Sequence, residues 1–105
     1  LLCYGLFAIN WSSLQYADHA WSPLHATEGA WNLRVPSVIR VIFLNYHYHH
    51  AHHQHPQIPW IYLKHFINQN DPQPWFHKIY GLMWRGPRPL AHHSIMHQKV
   101  LNECC

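Results

Sequence analysis

Six imidazoles crowd into nine positions of this chain, in the run His47-Tyr-His49-His50-Ala-His52-His53-Gln-His55. Inside it sits one H-x-x-H-H box, His49, His52 and His53. On a helix, residues at i, i+3 and i+4 share a face, so this spacing predicts three rings converging with little backbone rearrangement. Imidazole nitrogen suits iron, zinc, copper and nickel, whereas hard oxygen-loving ions call for carboxylates. Carboxylates are scarce: Asp18, Glu28, Asp71 and Glu103 are all the chain has. The H-E-x-x-H signature of zinc proteases is absent, and so are the Glu-x-x-His pairs of a carboxylate-bridged di-iron bundle. His50 points about 100° away from the box on an ideal helix, and His47 and His55 are less well placed. A loose metal-scavenging tract is the competing reading of so His-rich a segment. His19, in Gln15-Tyr-Ala-Asp-His19, is an isolated second candidate, open between a ligand and a hydrogen-bonded structural residue. Its neighbour Asp18 is a candidate orienting partner.

The elements that must position these rings belong to a small chain. Its 105 residues suffice for one domain at most. Charged residues make up 10% and aromatic residues 15%, a balance opposite to that of a disordered chain. The net charge of +3 is small and dispersed, which excludes the dense basic stripe of a nucleic-acid binder. Cys3, Cys104 and Cys105 offer neither a disulfide framework nor zinc-ribbon spacing, so a reducing compartment is the default. No run reaches the roughly 20 apolar residues of a membrane span. The best candidates are Leu1–Ile9 and Val35–Leu44, and the second contains Pro36 and Arg40. The chain opens on Leu1 inside the first run, which suggests the tail of a truncated helix in a fragment or processed chain. Trp11, Tyr16, Trp21 and Trp31 follow that run as an interfacial aromatic belt would, although a small water-soluble core would use the same rings.

The pattern predicts a mainly α fold with Pro-rich loops. A helix is expected over Leu1–Tyr16, then a loop with short turns across residues 20–36, broken by Pro23, Gly29 and Pro36. From Ser37 no breaker occurs before Pro56, and a second helix over this stretch would carry Val38, Ile42, Tyr46, His49 and His53 on one face. The β-branched run Val38–Ile42 would also suit a strand. Pro56 and Pro59 bend the chain before a short amphipathic stretch, Trp60–Ile67. Asn68–Pro74 reads as a polar turn and Trp75–Trp84 as a helix, while Arg85–Pro89 must be irregular. Residues 91–105 form either a weak helix or nothing regular.

The stretch Asn45–Trp60 resembles the third histidine box of membrane-bound fatty acid desaturases. In that family H-x-x-H-H is followed shortly by Pro-x-x-Pro, matched here by His49, His52, His53, Pro56 and Pro59. Asn10–Ser22 is similar to the segment leaving the family's last transmembrane helix, where an Asn/Gln-x-x-x-His pattern carries a further iron ligand, matched by Gln15 and His19. Pro72–Pro89 resembles the C-terminal tail of some bacterial desaturase-like proteins. The family's first two boxes have no counterpart, His92-His93 supplies neither, and His47 stands where an Asn is usual.

The resemblance implies that residues 1–90 are the C-terminal part of a desaturase-like domain, with 91–105 an unassigned tail. It implies a fragment of a multi-span helical membrane protein, with interfacial helices at the cytoplasmic face. The implied cofactor is iron, two non-haem ions in the complete enzyme, with His19, His49, His52 and His53 among the ligands and Gln15 acting through a water. The implied reaction uses O2 to introduce a cis double bond into an acyl chain carried as a lipid, an acyl-CoA or on acyl-carrier protein. Electrons would come from a separate donor such as ferredoxin or cytochrome b5. Sibling enzymes that hydroxylate lipids, alkanes or carotenoids share such boxes, and a non-enzymatic His-rich metal binder is the alternative outside the family. Val38, Ile42 and Phe43 are candidates either for an acyl tunnel or for plain core packing. Arg34, Arg40, Lys64, Lys78, Arg85 and Arg88 would face lipid, a donor protein or simply water. With most boxes missing, this chain alone is expected to be inactive.

Overall fold

Every regular element of the computed structural model, which describes residues 1–85 and 93–105, is a helix. In chain order these are α1 (Leu2–His19), α2 (Ser37–Ile42), α3 (His49–Gln54), a 3-10 turn (Trp60–His65), α4 (Phe76–Met83) and α5 (His93–Glu103). Among the described residues the only β-type pairings are two isolated bridges, Asn32 with Tyr48 and Arg34 with Trp75. The mainly α expectation holds, and α1 runs past Tyr16 because nothing before Ala20 interrupts it.

Small residues set the position of α1. Ser13, Ala17 and Ala20 lie on its buried side, so the helix approaches α4 closely enough for the Ser13 and Tyr80 hydroxyls to meet at 3.1 Å. Ala17 and Ala20 pack with Trp31, Leu33, Ile79, Leu82, Val100 and Cys104 in one core. Val100 and Cys104 bring α5 into that core, so the C-terminal segment is a packed helix rather than a loose tail. Tyr48, Ala51 and Leu63 form a second, smaller core beneath α3. The first half of α1 stands free, with Leu2, Leu6, Phe7 and Ile9 all exposed. No helix among the described residues is long and apolar enough to cross a membrane.

The single helix expected between Ser37 and Pro56 does not exist. It divides into α2 and α3, each of six residues. Between them Leu44 and Asn45 take left-handed conformations, with φ of 49° and 66°. Consecutive left-handed residues cannot continue a right-handed helix, and Asn tolerates that region better than most. The Asn45 side chain is further held by donating to the Ile61 carbonyl at 3.1 Å. Val38 and Ile42 consequently sit exposed on α2 and share no face with His49. Phe43 borders a small cavity instead.

The segment Trp31–Leu33 supports the start of α3. Leu33 N–H donates to the His47 carbonyl at 2.8 Å and His50 N–H to the Trp31 carbonyl at 3.3 Å. Ala51 N–H donates to the side-chain oxygen of buried Asn32 at 3.0 Å. The last two contacts satisfy first-turn donors of α3 that a short helix cannot satisfy internally. The irregular stretch expected at Arg85–Pro89 lies, past Arg85, outside the described residues, as does His92.

Candidate metal centre

His49 and His53 occupy the first and fifth positions of α3, and His19 is the last residue of α1. A nitrogen from each of these three rings lies within 4.8 Å of the other two. His19 Nε2 and His49 Nε2 are 3.1 Å apart across 30 positions of sequence. The ring centroids are separated by 4.8 Å for His19–His49, 5.2 Å for His19–His53 and 4.9 Å for His49–His53.

Two backbone carbonyls set the direction of these rings. His19 Nδ1 is 2.5 Å from the Gly29 carbonyl, and His53 Nδ1 is 2.8 Å from that of Ala26. A carbonyl only accepts, so both Nδ1 atoms carry hydrogen, which leaves each Nε2 as the ring atom available to the cluster. Metal-bound imidazoles are commonly oriented in this way. Asp18, the partner expected from sequence, points elsewhere, because neighbours on a helix diverge by about 100°.

His52 does not join the trio. Its ring stacks on Trp60 at 4.2 Å and 26°, and lies 5.9 Å from His49 and 6.5 Å from His53. At i+4 a ring returns to within about 40° of its starting direction, whereas at i+3 it falls about 60° short. Trp60, delivered by the bend at Pro56 and Pro59, occupies the flank His52 faces. Sequence reasoning gave no role to Trp60 or to the loop carbonyls of Ala26 and Gly29. A backbone acceptor leaves no mark in residue type, while the aromatic after a Pro-x-x-Pro bend is at least a visible signal.

Burial keeps the trio's central ring neutral. His49 is pushed down from 6.5 to about 3, first by desolvation and then by the neighbouring His19, His53 and His52. His52 is lowered for the same kind of reason, by desolvation and then by His53. A separate cavity of about 60 Å³ is bordered by Leu14, Ile39 and Phe43 together with Asp18, Tyr46 and His47. Desolvation raises the Asp18 carboxyl to about 7, against an opposing pull from the Tyr46 hydroxyl. His47 falls to about 4 through burial and the nearby Arg40 charge, and neither of its ring nitrogens has a partner.

Three imidazoles with convergent ring nitrogens make a donor set for a borderline transition metal. The 3.1 Å separation of two Nε2 atoms matches adjacent ligands of one ion, each bond being about 2.0–2.1 Å. Three nitrogens suffice for one ion. No protein-family model matches the chain, and no curated protein or solved structure does either.

Proposed function

We propose that this chain supplies part of the histidine-ligated iron centre of a membrane-bound, O2-dependent fatty acid desaturase. The observation that carries the reading is the meeting of His19 with His49 and His53. The sequence resemblance pairs a box on one segment with a lone His on another, and those two segments meet here. The apolar surfaces support it as well. Leu2, Leu6, Phe7 and Ile9 on α1 and Val38, Val41 and Ile42 on α2 are exposed, as suits residues that meet lipid or the rest of a larger enzyme.

In that role His19, His49 and His53 would hold iron, and the bound metal would supply the O2-dependent oxidation of an unactivated methylene. Gly29 and Ala26 fix two of the rings through their carbonyls, and Trp60 covers the flank beside His52. The parent would be a multi-span protein with this segment at its cytoplasmic face. It would act on an acyl lipid, acyl-CoA or acyl-carrier-protein substrate and take electrons from a ferredoxin or cytochrome b5. A second reading, a zinc-type binder without catalysis, is favoured by one feature: three nitrogens of a single chain already surround one point, the ligand number of a zinc site with an open position.

The deciding experiment expresses the complete reading frame in a host lacking desaturase, with and without alanine at His19, His49 and His53. A new acyl double bond that vanishes together with bound iron supports the proposal. An added oxygen without a double bond replaces it with the hydroxylase alternative. Unchanged iron and product in the triple variant overturn it.

A further inference from the structure

A file of aromatic rings leads away from the trio. His49, its buried member, stacks on Trp60 at 5.8 Å and 16° and meets Tyr46 at 5.7 Å. Trp60 and Tyr46 lie 5.1 Å apart. Tyr46 in turn lies 5.8 Å from Trp11 on α1, which is 43% exposed. At such centroid separations neighbouring rings are in contact. Three segments build the file: the stretch after the Pro-x-x-Pro bend, the turn between α2 and α3, and the middle of α1. It therefore connects a buried ligand ring to the surface through the fold and not along one helix.

The ring types decide what such a file can do. Indole and phenol give up a single electron more readily than imidazole does, and far more readily than benzene. Trp60 thus yields an electron to a strongly oxidised metal in the trio before the imidazoles do. Electron transfer slows steeply with distance, so rings in contact make a continuous path. Phe7 stacks on Trp11 at 6.1 Å, but its benzene ring does not oxidise, and the path ends at Trp11.

We propose that Trp60, Tyr46 and Trp11 form an electron-transfer chain that discharges oxidant left unused at the trio, drawing on a soluble thiol at the Trp11 end. The inference rests on the iron-and-O2 reading of the trio. Trp60 passes one electron to the oxidised metal, which is reduced by one charge. Trp11 refills Trp60 through the Tyr46 ring, whose phenol keeps its proton. The oxidised Trp11 indole releases its N–H proton to water and recovers a hydrogen atom from the thiol, and two thiyl radicals pair as a disulfide. Indole holds its electrons too tightly to serve a weak oxidant. The chain therefore works only when a strong oxidant forms and no acyl substrate consumes it first.

The test loads the whole chain with iron alone and adds hydrogen peroxide without thiol, in excess ethanol to quench free hydroxyl radicals. Trp11 then loses two electrons in succession and takes oxygen from water, so it is trapped as hydroxytryptophan and located by peptide mass spectrometry. Trp84 is the internal control: at 61% it is more exposed than Trp11, and its neighbours Tyr80 and Phe76 form another stack. The wild type is expected to be oxidised at Trp11 well above Trp84. Tyr46→Leu should bring Trp11 down to the Trp84 level at unchanged iron content. Trp11→Phe, at an exposed position, should move the damage to Trp60 and the trio's imidazoles, and it decides the matter if Tyr46→Leu loses iron. Trp11 oxidised no more than Trp84 in wild type, or undiminished in iron-loaded Tyr46→Leu, overturns the chain and leaves the trio's iron standing. Damage at Trp60 and the imidazoles that does not rise in Trp11→Phe overturns it as well. Iron that fails to bind in wild type overturns the trio as a metal site, and the chain with it.

Discussion

Asn32→Ala probes how the metal box is held without touching any imidazole. Asn32 is 1% exposed, and its side-chain oxygen accepts Ala51 N–H at 3.0 Å in the first turn of α3. Truncation orphans that buried donor, which costs about 1–3 kcal/mol. The Asn32 amide nitrogen has no partner of its own, so deleting it returns part of the loss and places the expected cost near 1–2 kcal/mol. For a domain of this size each kcal/mol lowers Tm by roughly 4–8 °C. The same change frees the helix start that aims His49, two residues before Ala51, so zinc or iron affinity should fall about 10–100-fold, as for other supporting partners. Circular-dichroism melts of the metal-free chain and a metal titration read the two effects separately. A lowered Tm with unchanged affinity would refute the positioning argument. An unchanged Tm would refute the capping argument itself.

The trio's geometry separates two residues of the box: His53→Ala should abolish tight metal binding, whereas His52→Ala should leave it within about threefold, since His52 rests on Trp60. Equal losses in a titration would contradict this. Acid should destabilise the metal-free chain. Folded His47 and His49 stay neutral down to about 4 and about 3, yet bind protons near 6.5 when unfolded, while folded Asp18 keeps a proton up to about 7 that it releases above 3.8 when unfolded. Between pH 4 and 6.5 unfolding thus takes up two protons and releases one, and stability falls by about 1.4 kcal/mol for each unit of acidification. Guanidinium melts at two pH values inside that window check both sign and slope. Leu63→Ala, at a residue with no exposure beneath α3, should cost about 2–5 kcal/mol in the same melts.

The helical character of the chain was legible because apolar runs without breakers lie between clear Pro clusters, as at Phe76–Met83. The pairing of His49 with His53 was legible too, since i and i+4 coincide on any helix. The break before the box was not. Leu44 and Asn45 turn left-handed with no Gly or Pro to announce it, and the turn is held by the distant carbonyl of Ile61. The fate of His52 was hidden for a similar reason: periodicity gives a direction, while Trp60 arrives through a bend whose path depends on the whole fold. The support from Asn32 had no local signal, because its partner lies 19 positions away.

α1 has a mechanical consequence. Its 18 residues make a rod of about 27 Å, clamped along its second half against α4 and bare along its first. His19 sits at the clamped tip, so the rod is a lever with a metal ligand at its short arm. Any load on the greasy first half is carried along one continuous helix to the residue that completes the trio.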